Sequence, residues 1–155
     1  MSTDAAPTIL ICYDGSDHAA HAITVAGALF PGATAKVLHV WEPVEHIIAR
    51  YAVLGAYIGE EIPAADAGAE QHSGGVADQG VKLAERAGLV ASGHSVALAD
   101  TLWETVIEAA KDLDAGLIVT GTRGLHGPRE LLVGTLSHAL LQHSGLPLLA
   151  IPAEN

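Results

Sequence analysis

The feature that most constrains this chain is an alternation: short apolar runs take turns with longer stretches of helical periodicity. The first run, Thr8–Tyr13, is bounded by Pro7 and Asp14-Gly15. Its centre, Ile9-Leu10-Ile11-Cys12, offers no polar face, which suits a strand buried on both sides. A helical pattern then runs from Ser16-Asp17 to Phe30 and stops at Pro31-Gly32. Ser16 can cap this helix, and Asp17 suits its positive start. Ala35–Trp41 reads as the second strand, ended by Glu42-Pro43, and His94–Ala99 as the third. Leu117–Thr120 reads as the fourth and Leu146–Ile151 as the fifth, with Pro147 pointing to an edge position or a strand start. Further helices are expected over about Val76–Ala87, from Thr101 to about Leu113, and over Thr135–His143. Thr101-Leu-Trp-Glu104 fits a capping box.

Between Val44 and Gly75 the pattern weakens. Ile47, Ile48, Tyr51, Val53, Leu54, Tyr57 and Ile58 are apolar, but Gly55, Gly59, Pro63, Gly68, Gly74 and Gly75 interrupt them. This reads as a variable connection with partial helix, placed to cover a site or face a partner.

Strands alternating with helices imply a single-domain α/β fold. The expected form is an open parallel five-stranded sheet with right-handed crossovers and helices on both faces, Rossmann-like. The domain is expected over residues 8–152, with tails at 1–7 and 153–155. Ligands of such sheets bind beyond the strand carboxyl ends, where strand order reverses. Two loops leaving strands there carry suggestive chemistry: Asp14-Gly15-Ser16 and Gly121-Thr-Arg-Gly124.

Charge narrows the partners. The chain has a net charge of −11 with histidines neutral, so it lacks the basic surface that neutralises nucleic-acid phosphates. Its single cysteine, Cys12, rules out an internal disulfide framework and a Cys-rich zinc site, and its apolar setting favours a buried structural thiol over a nucleophile. No run approaches the roughly 20 apolar residues of a membrane span. The segment Met1–Pro7 carries Asp4 and no basic stretch ahead of an apolar one, so it reads as a short tail and the protein as cytoplasmic.

Against that acidic background, Gly121–Thr135 stands out, with Gly121, Gly124, Gly127 and Gly134 and two arginines, Arg123 and Arg129, opposed only by Glu130. It lacks the Gly-Lys-Ser/Thr of a P-loop. Residues without a Cβ let backbone N–H groups approach an anion, and the free N–H groups of a helix starting at Thr135 suit phosphate. The hydroxyls of Thr135 and Ser137 and the guanidinium of Arg123 can join them. Taken alone, these glycines could equally be simple turns.

The spacing Gly121-x2-Gly124-x9-Gly134-Thr135 resembles the G-x2-G-x9-G-(S/T) signature of the universal stress protein family. So do Tyr13-Asp14-Gly15-Ser16, Leu38-His39-Val40 and the ending Leu146–Pro152, so that the resemblance runs from about Thr8 to Pro152. It implies strand order 3-2-1-4-5 and an adenine nucleotide, ATP with or without Mg²⁺, in the crevice at the reversal. Asp14 then matches the acidic position near the ribose, and Val40 the position whose backbone meets the adenine edge. Cys12 and Tyr13 end the first strand beneath them. Thr120 and Gly121 precede the phosphate loop, Arg123 and Gly124 match its first half, and Gly134, Thr135, Leu136 and Ser137 its second. Members that keep the glycine signature bind ATP, and homodimers through the last strands are common. Here Leu148–Ile151 would supply that edge.

Two departures stand out. Ala99-Asp100-Thr101 replaces the Gly or Pro often found near the start of the third helix, and Tyr13 is bulkier than the residue usual before the acidic position. They leave ATP and cyclic AMP both open.

Other residues are plainer. Asp14 could ligate a metal, cap a turn or orient ribose, and ribose fits best at a strand end beside the switch point. His18 and His21 share a helix face without a third ligand. His39 reads as a satisfied core residue and His126 as a solvent-facing loop residue within the phosphate loop. Glu104, Glu108 and Asp112 mark a solvated face, and Trp103 a core or interface position. The loop has no lysine and the chain no G-x-S-x-G elbow, so hydrolysis or autophosphorylation would be slow. The main expectation is a nucleotide-binding stress or signalling module with an unidentified protein partner; the alternatives are a slow ATPase and a ligand-free dimerisation scaffold.

Overall fold

Ten elements follow one another along the chain: β1 (Ile9–Cys12), α1 (Asp17–Leu29), β2 (Thr34–Trp41), α2 (Val44–Tyr51), α3 (Ile62–Arg86), β3 (Val90–Ala97), α4 (Leu102–Asp112), β4 (Leu117–Gly121), α5 (Thr135–His143) and β5 (Leu148–Ile151). They come from a computed structural model that describes residues 6–51, 62–122 and 135–154. The strands form one parallel sheet in the order β3-β2-β1-β4-β5, as expected.

β1 is central because its residues bury on both faces. Ile9 and Ile11 join a cluster with Ala22, Ile23, Val37 and Ala84, beneath α1 and α3. Leu10 points the other way, into a cluster with Leu38, Val106, Ile118 and Leu140, beneath α4 and α5. The period-two alternation of a strand thus feeds two cores. Each buried Leu or Ile side chain contributes about 2 kcal/mol.

Local chemistry sets the helix boundaries. Ser16 Oγ accepts the Ala19 N–H at 3.2 Å and caps α1. Thr101 caps α4, as its sequence indicates, and its Oγ1 accepts the Glu104 N–H at 3.3 Å. The Glu104 carboxylate is therefore part of the cap, and not only of a solvated face as read from spacing. Pro147 precedes β5, an edge strand, in accord with its missing N–H.

Two boundaries are corrected. α3 is one helix from Ile62 to Arg86, where a connection with partial helix was expected up to Gly75 and a separate helix from about Val76. Its buried stripe is Ser73, Val76, Ala77, Gly80 and Ala84, a continuous three-and-four spacing. That stripe holds the helix through Gly74 and Gly75, which each cost about 1 kcal/mol relative to alanine. β3 begins at Val90 and ends at Ala97, four residues earlier than expected at its start, because the whole of Val90–Ala97 pairs in register with Thr34–Trp41.

The small residues of α3 have a packing role. A Cβ on Gly80 would come within 2.6 Å of Val37 Cγ1 and 2.8 Å of Tyr13 Cδ1. The Tyr13 ring is buried under this helix.

Candidate functional site

The strand order reverses between β1 and β4. Residues Ile9, Leu10 and Ile11 pair with Leu117, Ile118 and Val119, so the two strands end side by side. On the other flank, Cys12 pairs with Leu38, and the Tyr13 N–H donates to the Leu38 carbonyl at 2.8 Å. The carboxyl ends of β1, β2 and β4 thus bring Asp14, Val40 and Gly121 to one edge of the sheet. A helix joining two parallel strands starts at the same edge, which brings the start of α5 there too.

The β1–α1 corner is tightly built. One Asp14 oxygen, Oδ1, accepts the Ser16 N–H at 3.0 Å, and Ser16 then caps α1. Gly15 between them has φ +83°, a left-handed value that disfavours a side chain. Asp14 is therefore fixed while its side chain stays only partly buried. The capping role weighed for it is real and does not exclude a second one.

Burial pushes the Cys12 thiol up to about 12, and the Asp14 carboxylate adds to the rise. A thiol so hard to ionise is a poor nucleophile at neutral pH. Burial likewise raises the Tyr13 phenol, with Asp14 and Asp17 adding to it. The Tyr13 ring packs against α3 at Gly80, and its backbone N–H is taken by the Leu38 carbonyl.

On the adenine flank named by the resemblance, Val40 is partly buried against the α4-side cluster. The turn after β3 lies nearby, where Ala99-Asp100-Thr101 departs from the family pattern. The Ala99 N–H donates to Thr105 Oγ1 at 3.1 Å, and that hydroxyl donates to the Thr101 carbonyl at 2.8 Å. Thr105, which the sequence did not single out, thus ties this turn to the start of α4.

At the end of β4, Thr120 is buried and its hydroxyl donates to the Gly121 carbonyl at 3.0 Å. A Cβ at Gly121 would stand 3.4 Å from the His18 carbonyl, so α1 closes on this strand end. The Thr122 N–H donates to the Ile151 carbonyl at 3.0 Å. Arg123, Gly124 and Gly134 lie outside the described residues, as do His126, Arg129 and Glu130. Thr135 opens α5, and Leu136 and Ser137 follow it, both partly buried.

Among the described residues, no three His, Cys, Asp or Glu side chains cluster to hold a metal, and no helix is long and apolar enough to cross a membrane. The remaining histidines divide. His21 Nδ1 lies 3.5 Å from a carboxylate oxygen of Glu154. His143 stacks on Trp103 with ring centroids 4.7 Å apart. His39 has its partner in Ser73 but is only partly buried, outside the core proper.

An open parallel sheet with its reversal between β1 and β4, and three strand ends meeting there, defines a doubly wound α/β protein. Comparison with known proteins makes the class specific. The model of the universal stress protein family matches residues 6–152. A universal stress protein of Thermus aquaticus is 31% identical over 147 residues, covering 93% of this chain and 97% of that one. A solved member of the family from Burkholderia pseudomallei has the same fold with a TM-score of 0.69 at 21% identity, covering 98% of this chain and 100% of that one. The fold is shared with a universal stress protein in complex with cAMP, at a TM-score of 0.61 and 18% identity over 96% and 98% of the two chains. It is also shared with one from Archaeoglobus fulgidus in complex with dAMP, at 0.59 and 17% over 94% and 96%. The chain belongs to the universal stress protein family.

Proposed function

We propose that this protein binds an adenine nucleotide, ATP foremost, across the carboxyl ends of β1, β2 and β4. Occupancy then changes its conformation or its partner surface in a cytoplasmic stress or signalling role. The observation that carries this reading is the meeting of the Asp14 turn and the Gly121 strand end at the sheet's reversal, in a chain that keeps the Gly121, Gly124 and Gly134-Thr135 spacing. Relatives of this fold bound to cAMP and dAMP support adenine as the base.

In this reading Asp14 accepts from the ribose hydroxyls and the Val40 backbone meets the adenine edge. Cys12, Tyr13 and Thr120 form the floor. Gly121, Arg123, Gly124, Gly134, Thr135, Leu136 and Ser137 surround the phosphates, where backbone N–H groups and a helix start favour negative charge. One carboxylate is a thin ligand set for Mg²⁺, so the ion would arrive held chiefly by the phosphates. Cyclic AMP is the second reading, favoured by the cAMP-bound relative. A second copy would pair along β5, which stands at the sheet edge.

Calorimetry with ATP, ADP, AMP and cyclic AMP tests the assignment. ATP is expected to bind most tightly, and Gly124→Val to abolish binding with the melting temperature unchanged. Saturating nucleotide without heat or thermal shift would overturn the reading, and tighter binding of cyclic AMP would replace ATP with it.

A further inference from the structure

On the α3 side of the sheet, three polar side chains from three elements form a chain. Ser73 of α3 is fully buried. Its Oγ lies 2.5 Å from Nδ1 of His39 in β2 and accepts from Ser95 Oγ of β3 at 2.7 Å. Ser95 is only partly buried, so the far end of the chain borders solvent.

The contacts allow one direction for the neutral imidazole: Ser95 donates to Ser73, and Ser73 can donate to His39 Nδ1, with the ring proton on Nε2. Burial favours that neutral form; the Asp14 carboxylate opposes it, and His72 reinforces it. Protonation would turn Nδ1 from acceptor to donor. A hydroxyl can both donate and accept, so the chain can reverse: His39 donates to Ser73, Ser73 to Ser95, and Ser95 to solvent. Neither state forfeits a hydrogen bond within the chain. What opposes the imidazolium is loss of hydration, and a negative charge nearby offsets that.

His39 is well placed to meet such a charge. It sits between Leu38, whose carbonyl holds the end of β1, and Val40 at the crevice, within the field of Asp14. We propose that His39, working through Ser73 and Ser95, is a proton-linked regulator of the nucleotide site: an anionic ligand in the crevice draws a proton onto His39, and the site holds polyphosphate more tightly as the medium is acidified. This rests on the nucleotide-binding reading above. The charged and titratable groups acting on His39 are Asp14 from the β1–α1 turn and His72 from α3, while β3 presents the neutral Ser95. His39 is a positioning and sensing residue and need not touch the ligand.

Two measurements test it. The first uses the ligand-free protein, following the His39 imidazole resonances by NMR from about pH 8 to about pH 5. Reversible titration in the folded state is expected, and titration only together with unfolding overturns the proposal. The second is calorimetry of ATP with Mg²⁺ between about pH 7.5 and about pH 5.5, in buffers of different ionisation enthalpy. Binding is expected to take up protons and to tighten about three- to tenfold toward acid. Both effects should vanish in His39→Gln and persist in His72→Gln. ATP binding that ignores pH, or that keeps its pH dependence in His39→Gln, overturns this proposal alone. A wild-type isotherm with no binding at any pH overturns the nucleotide reading as well, so the two failures are distinguishable.

Discussion

The two flanks of the sheet are built on different logics. On the α4 flank, helix and strand announce themselves locally: Thr101 caps, Glu104 answers it, and Val106, Ile107, Ala109 and Ala110 bury at helical spacing. On the α3 flank, contact depends on what is missing. Gly80 makes room for Val37 and Tyr13, and Gly93 lies where a Cβ would stand 3.3 Å from Val81 Cγ2. One flank is stabilised by what its side chains add, the other also by how closely the backbones approach, with the Ser73–His39–Ser95 chain on its side of the sheet.

The comparison breaks most visibly at Gly80. Gly80→Val would place a branched side chain where even a Cβ meets two neighbours under 3.0 Å. The expected loss is about 3 kcal/mol, large against a typical domain stability of roughly 5–15 kcal/mol. Urea unfolding measures it. A midpoint within error of the parent would show that α3 can lift away from the sheet at no cost, and the close-approach account would fall.

That difference also explains what was legible. Strand alternation and the caps at Ser16 and Thr101 rest on neighbours in sequence, so they could be read directly, whereas the strand order and its reversal point came from the family resemblance. The first half of α3 could not, because Ser73-Gly74-Gly75 carries the composition of a turn. It is helical because Ser73 continues the stripe of Val76, Gly80 and Ala84 and finds partners on two strands. Ser92-Gly93 misled in the same way: these residues pair in full with Lys36 and Val37. Of the candidate site, the Asp14 and Gly121 loops were legible from the strand pattern and Val40 from the family resemblance. Thr105 and the Ser73–His39 contact were not, since each depends on a partner brought in by tertiary structure.

Acid should sharpen the contrast next. Burial lowers the affinity of folded His39 for protons, and it does the same for His94, where Lys36 adds repulsion. Below the ordinary histidine value of 6.5, the unfolded chain takes up protons that the folded chain resists. Stability is therefore intact above that value and falls as pH drops through it. Thermal midpoints measured against pH should show the decline, and His39→Gln should shallow it. Ser73→Ala should cost about 2 kcal/mol at neutral pH by leaving His39 Nδ1 and the Ser95 hydroxyl short of a partner. An acid slope identical in His39→Gln would assign the decline elsewhere.

The smallest effect is expected at Thr101, on the legible flank. Its hydroxyl accepts the Glu104 N–H at 3.3 Å and donates to Glu104 Oε2 at 2.6 Å. Glu104 therefore holds the capping hydroxyl itself and so stiffens the cap. Thr101→Ala removes both bonds, yet Thr105 still ties the turn through the Ala99 N–H and the residue 101 carbonyl. The expected loss is about 1 kcal/mol, and Thr101→Ser should recover most of it. A loss as large as that at Gly80 would mean that α4 also depends on a contact beyond its own turn, and the division between the two flanks would not hold.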